Sequence, residues 1–354
     1  LRIGVVGCGA IAQIQHIPHI KELRDLFDLV AICDVSRQLV NFIGEMYQVP
    51  HRFTDYRDLL AVDLDAVLLC FMDPKTEVAV AALEANKHTF IEKPMCYSLQ
   101  EADRILKAQE TSGAALMVGY MKQHDPGYQY AKKQVAQIPD IRFIQVNHLH
   151  PHNDLHIKEF TLYQFDDIPA DAIEHSRNLR AAAIQEAIGV QPDHVNSTFF
   201  MLSGSMIHDI SSLRGMFGPP TEVVSAEIWR GGRCFTTVLS YEGDKRCVAT
   251  WTDLPDLWDF RETLEVFGDS QRVSIRFPTG FDRGKPSPVT VQGMEDGSMP
   301  WTKELIVNTQ NSFKLELVHF HDCIVNGKIP ITDGTGARQD VELVREIVNT
   351  YLGA

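Results

Sequence analysis

The sequence lacks the features expected of a membrane, nucleic-acid-binding or disulfide-rich protein. No apolar run approaches the roughly 20 residues that a membrane helix needs, and no signal peptide precedes the first strand in this numbering, which leaves open a leader removed earlier. A net charge of −14 opposes binding to nucleic acid or anionic membranes. The seven cysteines are scattered and never spaced C-x-x-C, which predicts buried thiols in a reducing, cytoplasmic protein.

The first twelve residues carry the most informative motif. Residues 2–12, RIGVVGCGAIA, predict a buried strand, a glycine turn and a helix. Glycine permits the tight turn and lets a pyrophosphate approach the backbone, and the helix N-terminus offers N–H groups to the phosphates. The residues expected to contact the dinucleotide are Gly7, Gly9, Ala10, Ile11 and Ala12.

A second strand, near residues 29–34, ends in Asp34. An acid about 20 residues after the glycine turn accepts hydrogen bonds from the adenine-ribose hydroxyls and disfavours a 2′-phosphate. The cofactor is therefore predicted to be NAD. Arg37 lies three residues further on and could accept a 2′-phosphate, so use of NADP stays open.

The order of predicted elements divides the chain into two domains. Up to about residue 120, short apolar strands alternate with helices, which predicts an α/β Rossmann dinucleotide-binding domain over residues 1–122 with a parallel sheet. Strands separated by Gly, Pro and Asp turns then predict an α+β domain over residues 123–354, with a large, mostly antiparallel, open-faced sheet. We expect Pro18 to kink the first helix and the last helix to return to the first domain.

Glu92, Lys93 and Pro94 follow the fourth predicted strand. Ligands of a doubly wound sheet bind outside the carboxyl ends of its strands. A lysine there would polarise a substrate hydroxyl beside the nicotinamide. Burial would lower the lysine pKa and assist proton transfer.

These motifs together resemble the glucose–fructose oxidoreductase / inositol dehydrogenase family. The resemblance also covers residues 82–88 (ALEANKH), 119–126 (GYMKQHDP) and 329–334 (IPITDG). It implies a nicotinamide-dependent oxidoreductase with Lys93 as a catalytic residue. It further implies an open-faced sheet that often joins subunits into homodimers or homotetramers.

The family's catalytic histidine usually follows an aspartate by four residues on a helix, and His208 occupies that position here. Gly204 stands where the aspartate is expected, and Ser211 replaces a second acid. Asp209 points about 100° away from His208 on a helix, so it is a poor substitute. Asn196 or a histidine of residues 148–156 could orient His208 instead.

Another departure follows the third predicted strand, where the family often has Thr-Pro-Asn. Phe71, Met72 and Asp73 take those places, so we expect backbone contacts to the cofactor at Met72 and a further contribution from Glu92. The residues expected to bind substrate hydroxyls are Lys122, His124, His150 and Asn196.

Four histidines, at positions 148, 150, 152 and 156, form the densest histidine cluster. Alternating histidines on one strand face could ligate zinc or iron, or they could form a polar substrate-facing strand or an oligomer surface. The family needs no metal, so no metal is predicted. Residues 153–196 are a lid, an arm to a neighbouring subunit, or a solvated insertion.

The predicted function is hydride transfer between a secondary hydroxyl of a cyclic polyol, sugar or sugar derivative and the nicotinamide. His208 would take the hydroxyl proton, and Lys93 would orient and polarise that oxygen. Two alternatives remain: an NAD-dependent glycoside hydrolase of the same fold, and a non-catalytic nucleotide-binding sensor.

Overall fold

The computed structural model describes residues 1–72 and 74–353, and Asp73 therefore lies outside the described residues. The chain forms two compact units, and each is assembled from three segments. The first comprises residues 1–120, 159–189 and 313–341, and the second comprises residues 121–158, 190–312 and 342–354. The predicted domain boundary after residue 122 lies near residue 120, where the chain first passes from the first unit to the second. The two later segments of the first unit were predicted to belong to the second domain. They join the first because Leu317 and Phe320 lie in its core, with Tyr163 and Phe165 packed against that core.

The strands are numbered along the chain. They are β1 (Arg2–Val6), β2 (Asp28–Cys33), β3 (His51–Phe53), β4 (Ala66–Leu69), β5 (His88–Glu92), β6 (Leu116–Gly119), β7 (Ile141–His150), β8 (Glu222–Trp229), β9 (Cys234–Tyr241), β10 (Lys245–Asp253), β11 (Arg261–Gly268), β12 (Gln271–Phe277), β13 (Val289–Glu295) and β14 (Met299–Leu305). The strand predicted near residues 29–34 is β2.

The α-helices are numbered in the same way. They are α1 (Ile17–Glu22), α2 (Arg37–Met46), α3 (Tyr56–Leu60), α4 (Thr76–Glu84), α5 (Leu99–Ser112), α6 (Pro126–Val135), α7 (Asp154–Ile157), α8 (Ala170–Ile188), α9 (Asp193–Met201), α10 (Ile207–Phe217), α11 (Ser312–Asn326) and α12 (Gly334–Leu352). Of these described helices, none has both the length and the apolar character that crossing a membrane requires.

The first unit contains a six-stranded parallel sheet in the order β3-β2-β1-β4-β5-β6. All four residues of β4 are buried, as are four of the five in β1 and in β5. Strands that are apolar on both faces need cover on both sides, which helices provide in a parallel sheet. The predicted Rossmann architecture is confirmed.

The first helical segment changes from π to α geometry just before Pro18, without a break in the helical run. A π-helical turn covers Ala12–His16, and α1 then begins at Ile17 with Pro18 in its first turn. The Ile17 N–H donates to the Ala12 carbonyl oxygen, so the π-helical turn runs directly into α1. The segment ends at Glu22.

The second unit contains an eight-stranded sheet in the order β14-β13-β12-β11-β7-β10-β9-β8. Neighbouring strands are antiparallel, apart from the parallel pair β7 and β10. Along β7, the buried residues Ile144, Val146 and His148 alternate with more accessible ones. This period of two places one face of the sheet in the interior, and the predicted mostly antiparallel sheet is confirmed.

The glycine turn after β1 provides a test of local geometry. Gly7 has a φ of +94°, and a Cβ built on it would lie 2.9 Å from the Phe71 nitrogen. A Cβ on Gly9 would meet no atom within 4 Å. We expect Gly7→Ala to lower the free energy of unfolding by about 1–3 kcal/mol, and Gly9→Ala to change it by less than about 1 kcal/mol. Urea denaturation measures both values, and equal losses would contradict this account of the turn.

Candidate functional site

The glycine turn and Asp34 are held together by backbone hydrogen bonds in the first unit. The Gly7 N–H donates to the Cys33 carbonyl oxygen at 2.8 Å, and the Cys8 N–H donates to Asp34 Oδ2 at 2.7 Å. The open space beside Gly9 leaves room for a phosphate to approach the backbone. Burial raises the pKa of Asp34, while hydrogen bonds from the Cys8 and Ser36 amides oppose that rise. The turn and the acid therefore fit the phosphate and ribose parts of a dinucleotide.

The other predicted cofactor residues occupy different surroundings. Ala12 is fully buried at the start of the π-helical turn, whereas Ala10 and Ile11 are half-buried. The Arg37 guanidinium donates to Thr54 Oγ1 at 2.9 Å and lies near the Arg52 carbonyl oxygen. The Met72 side chain is exposed, and its carbonyl oxygen accepts a hydrogen bond from the Tyr97 hydroxyl at 3.3 Å.

Glu92 ends β5 as a buried carboxylate. Its Oε1 lies 2.7 Å from His16 Nε2, and its Oε2 accepts the Lys93 N–H at 2.9 Å. Burial alone would raise the pKa of Glu92, but the His16 hydrogen bond and the nearby lysine charges outweigh burial and lower it. The carboxylate therefore fixes the backbone at the start of the Glu92–Lys93–Pro94 segment.

Glu316, on α11, completes a buried group with His16 and Glu92. Ligand-type atoms of the three side chains lie within 4.8 Å of one another. Among the described residues, neither carboxyl oxygen of Glu316 has a hydrogen-bond partner. Burial, assisted by the Glu92 charge, raises the pKa of Glu316 well above its ordinary value. Glu316 therefore binds a proton more tightly than an exposed glutamate does, and Glu92 binds one less tightly.

Two lysines belong to this part of the first unit. Burial lowers the pKa of Lys93 despite the adjacent Glu92 carboxylate. Lys75 is fully buried, and its Nζ donates to the Pro94 carbonyl oxygen at 3.0 Å. Burial lowers the pKa of Lys75 to about 8. Both lysines can therefore exchange protons closer to neutral pH than an ordinary lysine can.

Sequence reasoning missed His16, Lys75 and Glu316. A histidine among apolar residues on the first helix was the only signal of a buried partner. Lys75 stands in the loop before α4, and Glu316 lies more than 200 residues after Glu92 in the sequence. Their association depends on packing that no local pattern reveals.

A second charged group is buried in the second unit. Lys122 forms an ion pair with Glu262, and both side chains are almost completely buried. The Lys122 ammonium also lies 4.8 Å from the centre of the Phe277 ring. His148 Nδ1 lies 2.7 Å from Asp209 Oδ2 and 3.6 Å from Glu262 Oε1. Two carboxylates and two basic side chains thus compensate one another in the interior.

Asp209, expected to be a poor partner for His208, has a different partner in the structure. Its carboxylate pairs with His148 on β7. The carboxylate holds one ring nitrogen of His148, and the other lies 3.5 Å from Ser205 Oγ, which accepts a hydrogen bond from Trp251 Nε1 at 2.9 Å. A carboxylate that orients an imidazole is the arrangement used in acid–base catalysis.

The predicted histidine, His208, is half-buried on α10. Its carbonyl oxygen accepts hydrogen bonds from Ser211 Oγ at 3.1 Å and Ser212 Oγ at 2.7 Å. A Cβ built on Gly204 would meet no atom within 4 Å. At Gly204, where the family has an aspartate, no described side chain fills the space that the aspartate would occupy.

The remaining predicted substrate residues are distributed through the second unit. His150 stacks on His148 with ring centres 5.4 Å apart and also contacts Trp251 and Phe260. His124 is buried. Asn196 Nδ2 donates to the Gln191 carbonyl oxygen at 2.9 Å, which supports the backbone around the start of α9.

The described part of the chain contains two groups of three His, Asp or Glu side chains spaced for a metal ion. They are His16–Glu92–Glu316 and His148–Asp209–Glu262. His150, His152 and His156 belong to neither group, and His152 pairs with the exposed Asp154 at 3.3 Å. The alternative of a joint metal site on these histidines is therefore not matched by their positions.

Comparison with known proteins relates the first unit to oxidoreductases. Residues 1–120 match a family described as "Oxidoreductase family, NAD-binding Rossmann fold". The chain is 35% identical over 142 residues to inositol 2-dehydrogenase from Paracoccus denitrificans, a match covering 39% of this chain and 42% of that protein. It is 34% identical over 139 residues to inositol 2-dehydrogenase/D-chiro-inositol 3-dehydrogenase from Halalkalibacterium halodurans, covering 38% and 40% of the two chains. These matches thus span less than half of either relative.

Solved structures extend the similarity of fold to the whole chain. A putative NADPH-dependent oxidoreductase from Desulfitobacterium hafniense has a TM-score of 0.79 at 15% identity, covering 100% of this chain and 96% of that one. A 3-ketoreductase from Actinomadura kijaniata, in complex with NADP, has a TM-score of 0.74 at 17% identity, covering 99% and 97%. At these identities the comparison establishes the fold alone.

The proton on Glu316 predicts a specific dependence of stability on pH. The folded-state pKa of Glu316 is raised, whereas an unfolded glutamate titrates near pH 4.3. The unfolded chain therefore loses this proton first, and the stability associated with it is lost as the pH rises from about 4.3 towards the folded-state pKa. We expect the free energy of unfolding of Glu316→Gln, minus that of the wild type, to grow by about 1.4 kcal/mol per pH unit in that window.

Chemical denaturation at a series of pH values measures this difference. Glu84→Gln, at an exposed position of α4, is the matched control and should give a difference that does not vary with pH. A flat profile for Glu316→Gln as well would show that Glu316 does not carry the proton.

Proposed function

We propose that this chain, which belongs through residues 1–120 to the glucose–fructose oxidoreductase / inositol dehydrogenase family, is an NAD(P)-dependent oxidoreductase. Its proposed substrates are secondary hydroxyls of cyclic polyols, sugars or sugar derivatives. The observation that carries this proposal is Lys93, whose pKa is lowered at the carboxyl end of β5. Ligands of a doubly wound sheet bind at that end of its strands.

The residues proposed to hold the dinucleotide lie in the first unit. The backbone around Gly7 and Gly9 would receive the pyrophosphate at the start of the helical segment. Asp34 would accept hydrogen bonds from the ribose hydroxyls, because the Cys8 and Ser36 N–H groups already orient its carboxylate. Glu92 would contribute by fixing the backbone of Lys93. When bound, NAD supplies the hydride acceptor.

Lys93 is proposed to polarise the reacting oxygen. An ammonium in a partly desolvated position stabilises the alkoxide that develops as a carbinol carbon loses hydride. Its lowered pKa also reduces the cost of giving up a proton. Lys75 supports this role because its hydrogen bond to the Pro94 carbonyl oxygen restrains the backbone that follows Lys93.

Proton transfer is proposed to involve His208, with His148 as a second candidate. His208 takes the position of the family's catalytic histidine, and its half-buried side chain can be reached. His148 has the better-defined carboxylate partner in Asp209. However, the His148 side chain is only 3% exposed. Accessibility therefore favours His208 as the group that meets a substrate.

The substrate class rests on polar side chains and on the names of relatives. Lys122, His124, His150 and Asn196 are proposed to contribute to recognition of further hydroxyls, directly or by supporting neighbouring groups. Two relatives are named as inositol dehydrogenases, and one protein of the same fold is a 3-ketoreductase. The first two names concern inositol and the third a ketone, and the interconversion of a carbinol and a ketone is the reaction class proposed here.

Cellular location and assembly are also proposed. The scattered cysteines favour a cytoplasmic protein. Exposed apolar side chains on β8, β13 and β14 support a homodimer or homotetramer joined through the sheet of the second unit. They include Val224, Trp229, Met294 and Met299.

The role of Lys93 can be tested by mixing the protein with NAD or NADP and a panel of inositols and sugars. We expect reduced-nicotinamide absorbance to grow with at least one compound. Lys93→Ala should lower turnover by about 100-fold or more while dinucleotide affinity, measured by calorimetry, changes by less than about threefold. Lys107→Ala, at an exposed position of the same unit, should match the wild type.

Three results would contradict this proposal. Turnover that survives in Lys93→Ala would remove the assigned role. Dinucleotide binding without reduction by any compound would favour a sensor. Sugar release from a chromogenic glycoside without net reduction of NAD would favour the glycoside hydrolase.

The two histidines can be ranked by kinetics. His208→Gln should lower kcat by about 10²–10⁴-fold, as expected for loss of a general base, and should remove the corresponding limb of the pH–rate profile. His148→Gln should lower kcat less and leave that limb in place. The reverse ranking would assign proton transfer to the Asp209–His148 pair.

A further inference from the structure

A segment from the middle of the chain lies against the predicted nucleotide site of the first unit. We call this segment, residues 159–169, the strap. The Gln13 side chain binds it, because Nε2 donates to the Tyr163 carbonyl oxygen at 3.0 Å and Oε1 accepts the Tyr163 N–H at 3.0 Å. The same Nε2 also donates to the Cys8 carbonyl oxygen at 2.8 Å, within the glycine turn. The strap is thus attached directly to that turn.

Aromatic side chains hold the strap on α2. The Tyr163 and Phe165 rings lie 4.2 Å and 5.9 Å from the Phe42 ring, measured between centres. All three side chains are half-buried in the core of the first unit. These contacts bring the end of the strap to the N-terminus of α2.

Asp167 occupies the anion-binding position at that N-terminus. Its Oδ2 accepts the Gln38 N–H at 2.8 Å, and its Oδ1 accepts a hydrogen bond from the Ser36 hydroxyl. Ser36 is the N-cap of α2 and also accepts the Leu39 N–H. The hydrogen bonds from Ser36 and Gln38 lower the pKa of Asp167, so its carboxylate stays ionised.

These donors are the ones that a 2′-phosphate would need. Asp34, the proposed ribose ligand, lies two residues before Ser36 and binds its N–H. A phosphate on the 2′-hydroxyl would extend from the ribose towards the N–H groups that start α2, where helix termini favour anions. Arg37, the cation that could have received this phosphate, is bonded to Thr54 instead.

We propose that Asp167 is a specificity-determining residue, whose carboxylate fills the 2′-phosphate position and makes the protein select NAD over NADP. This inference rests on the proposed function, because it assumes that the first unit binds a dinucleotide. Asp167 acts in two ways. It occupies the hydrogen-bond donors of Ser36 and Gln38, and it places a negative charge beside the position that a second anion would take, which costs binding energy.

The test measures binding rather than turnover. Calorimetry with NADH and NADPH measures the affinity for the whole cofactor. Calorimetry with ADP-ribose and its 2′-phosphate, which lack the nicotinamide, measures the affinity at the adenosine end alone. We expect the wild type to bind the 2′-phosphorylated ligands at least about tenfold more weakly than their partners. Asp167→Ala should improve the affinity for NADPH and for the phosphorylated probe by about tenfold or more, with NADH affinity little changed.

Two further variants separate charge from structure. Asp167→Asn keeps an oxygen that can accept the Gln38 N–H, and its amide NH2 can donate to the Ser36 hydroxyl oxygen. The strap therefore stays in place while the charge is lost, and this variant should show part of the same gain. Asp166→Ala removes the same charge from an exposed neighbouring position and should leave the preference unchanged.

The failure of this inference differs from the failure of the proposed function. Strong NADH binding with no gain for NADPH in Asp167→Ala, equal gains in Asp166→Ala, or a wild type that binds both cofactors equally would each overturn the role of Asp167. No binding of any dinucleotide or probe by any variant would overturn the proposed function, and this inference with it.

Discussion

The buried carboxylate of Glu92 imposes the strongest constraint on the first unit. An ionised group in the interior is costly unless it is paired and hydrogen-bonded. His16, the Lys93 amide and the neighbouring lysine charges supply that compensation. Burial, assisted by the nearby Glu92 charge, raises the pKa of Glu316. The position of Lys93 thus depends on a network contributed by the first helical segment, the end of β5 and α11, and a change in any one of them alters the charge balance around the lysine.

Local sequence predicted what local interactions determine. The strand, glycine turn and helix at residues 2–12 depend on neighbours within a few residues, and they are confirmed. The period-two pattern of β7 likewise follows from its own residues. The division of the chain into the two units could not be predicted from local sequence. Residues 159–189 belong to the first unit because of the apolar surface they pack against, which is a tertiary property.

The charged side chains of the candidate site show the same limit more clearly. Lys93 could be singled out because it follows a strand that should end at a ligand-binding edge. Its partners could not, because Lys75 and Glu316 carry no motif and meet Glu92 only through packing. Asp209 illustrates the same limit. Helical geometry correctly turned it away from His208, but a direction on a helix says nothing about which strand lies opposite, and β7 presents His148 there.

Cofactor selection illustrates why a short fingerprint is an incomplete description of a binding site. Asp34 and Arg37 point to opposite cofactors when the sequence is considered alone. In the structure, Arg37 is engaged by Thr54, and the N-terminus of α2 already has an anion in Asp167. Asp167 lies more than 120 residues after Gln38 in the sequence. It belongs to the strap, which Gln13 binds next to the glycine turn. The electrostatic environment of the proposed ribose position is therefore set by tertiary structure, and a sequence that kept the fingerprint but lost the strap would not keep the same environment.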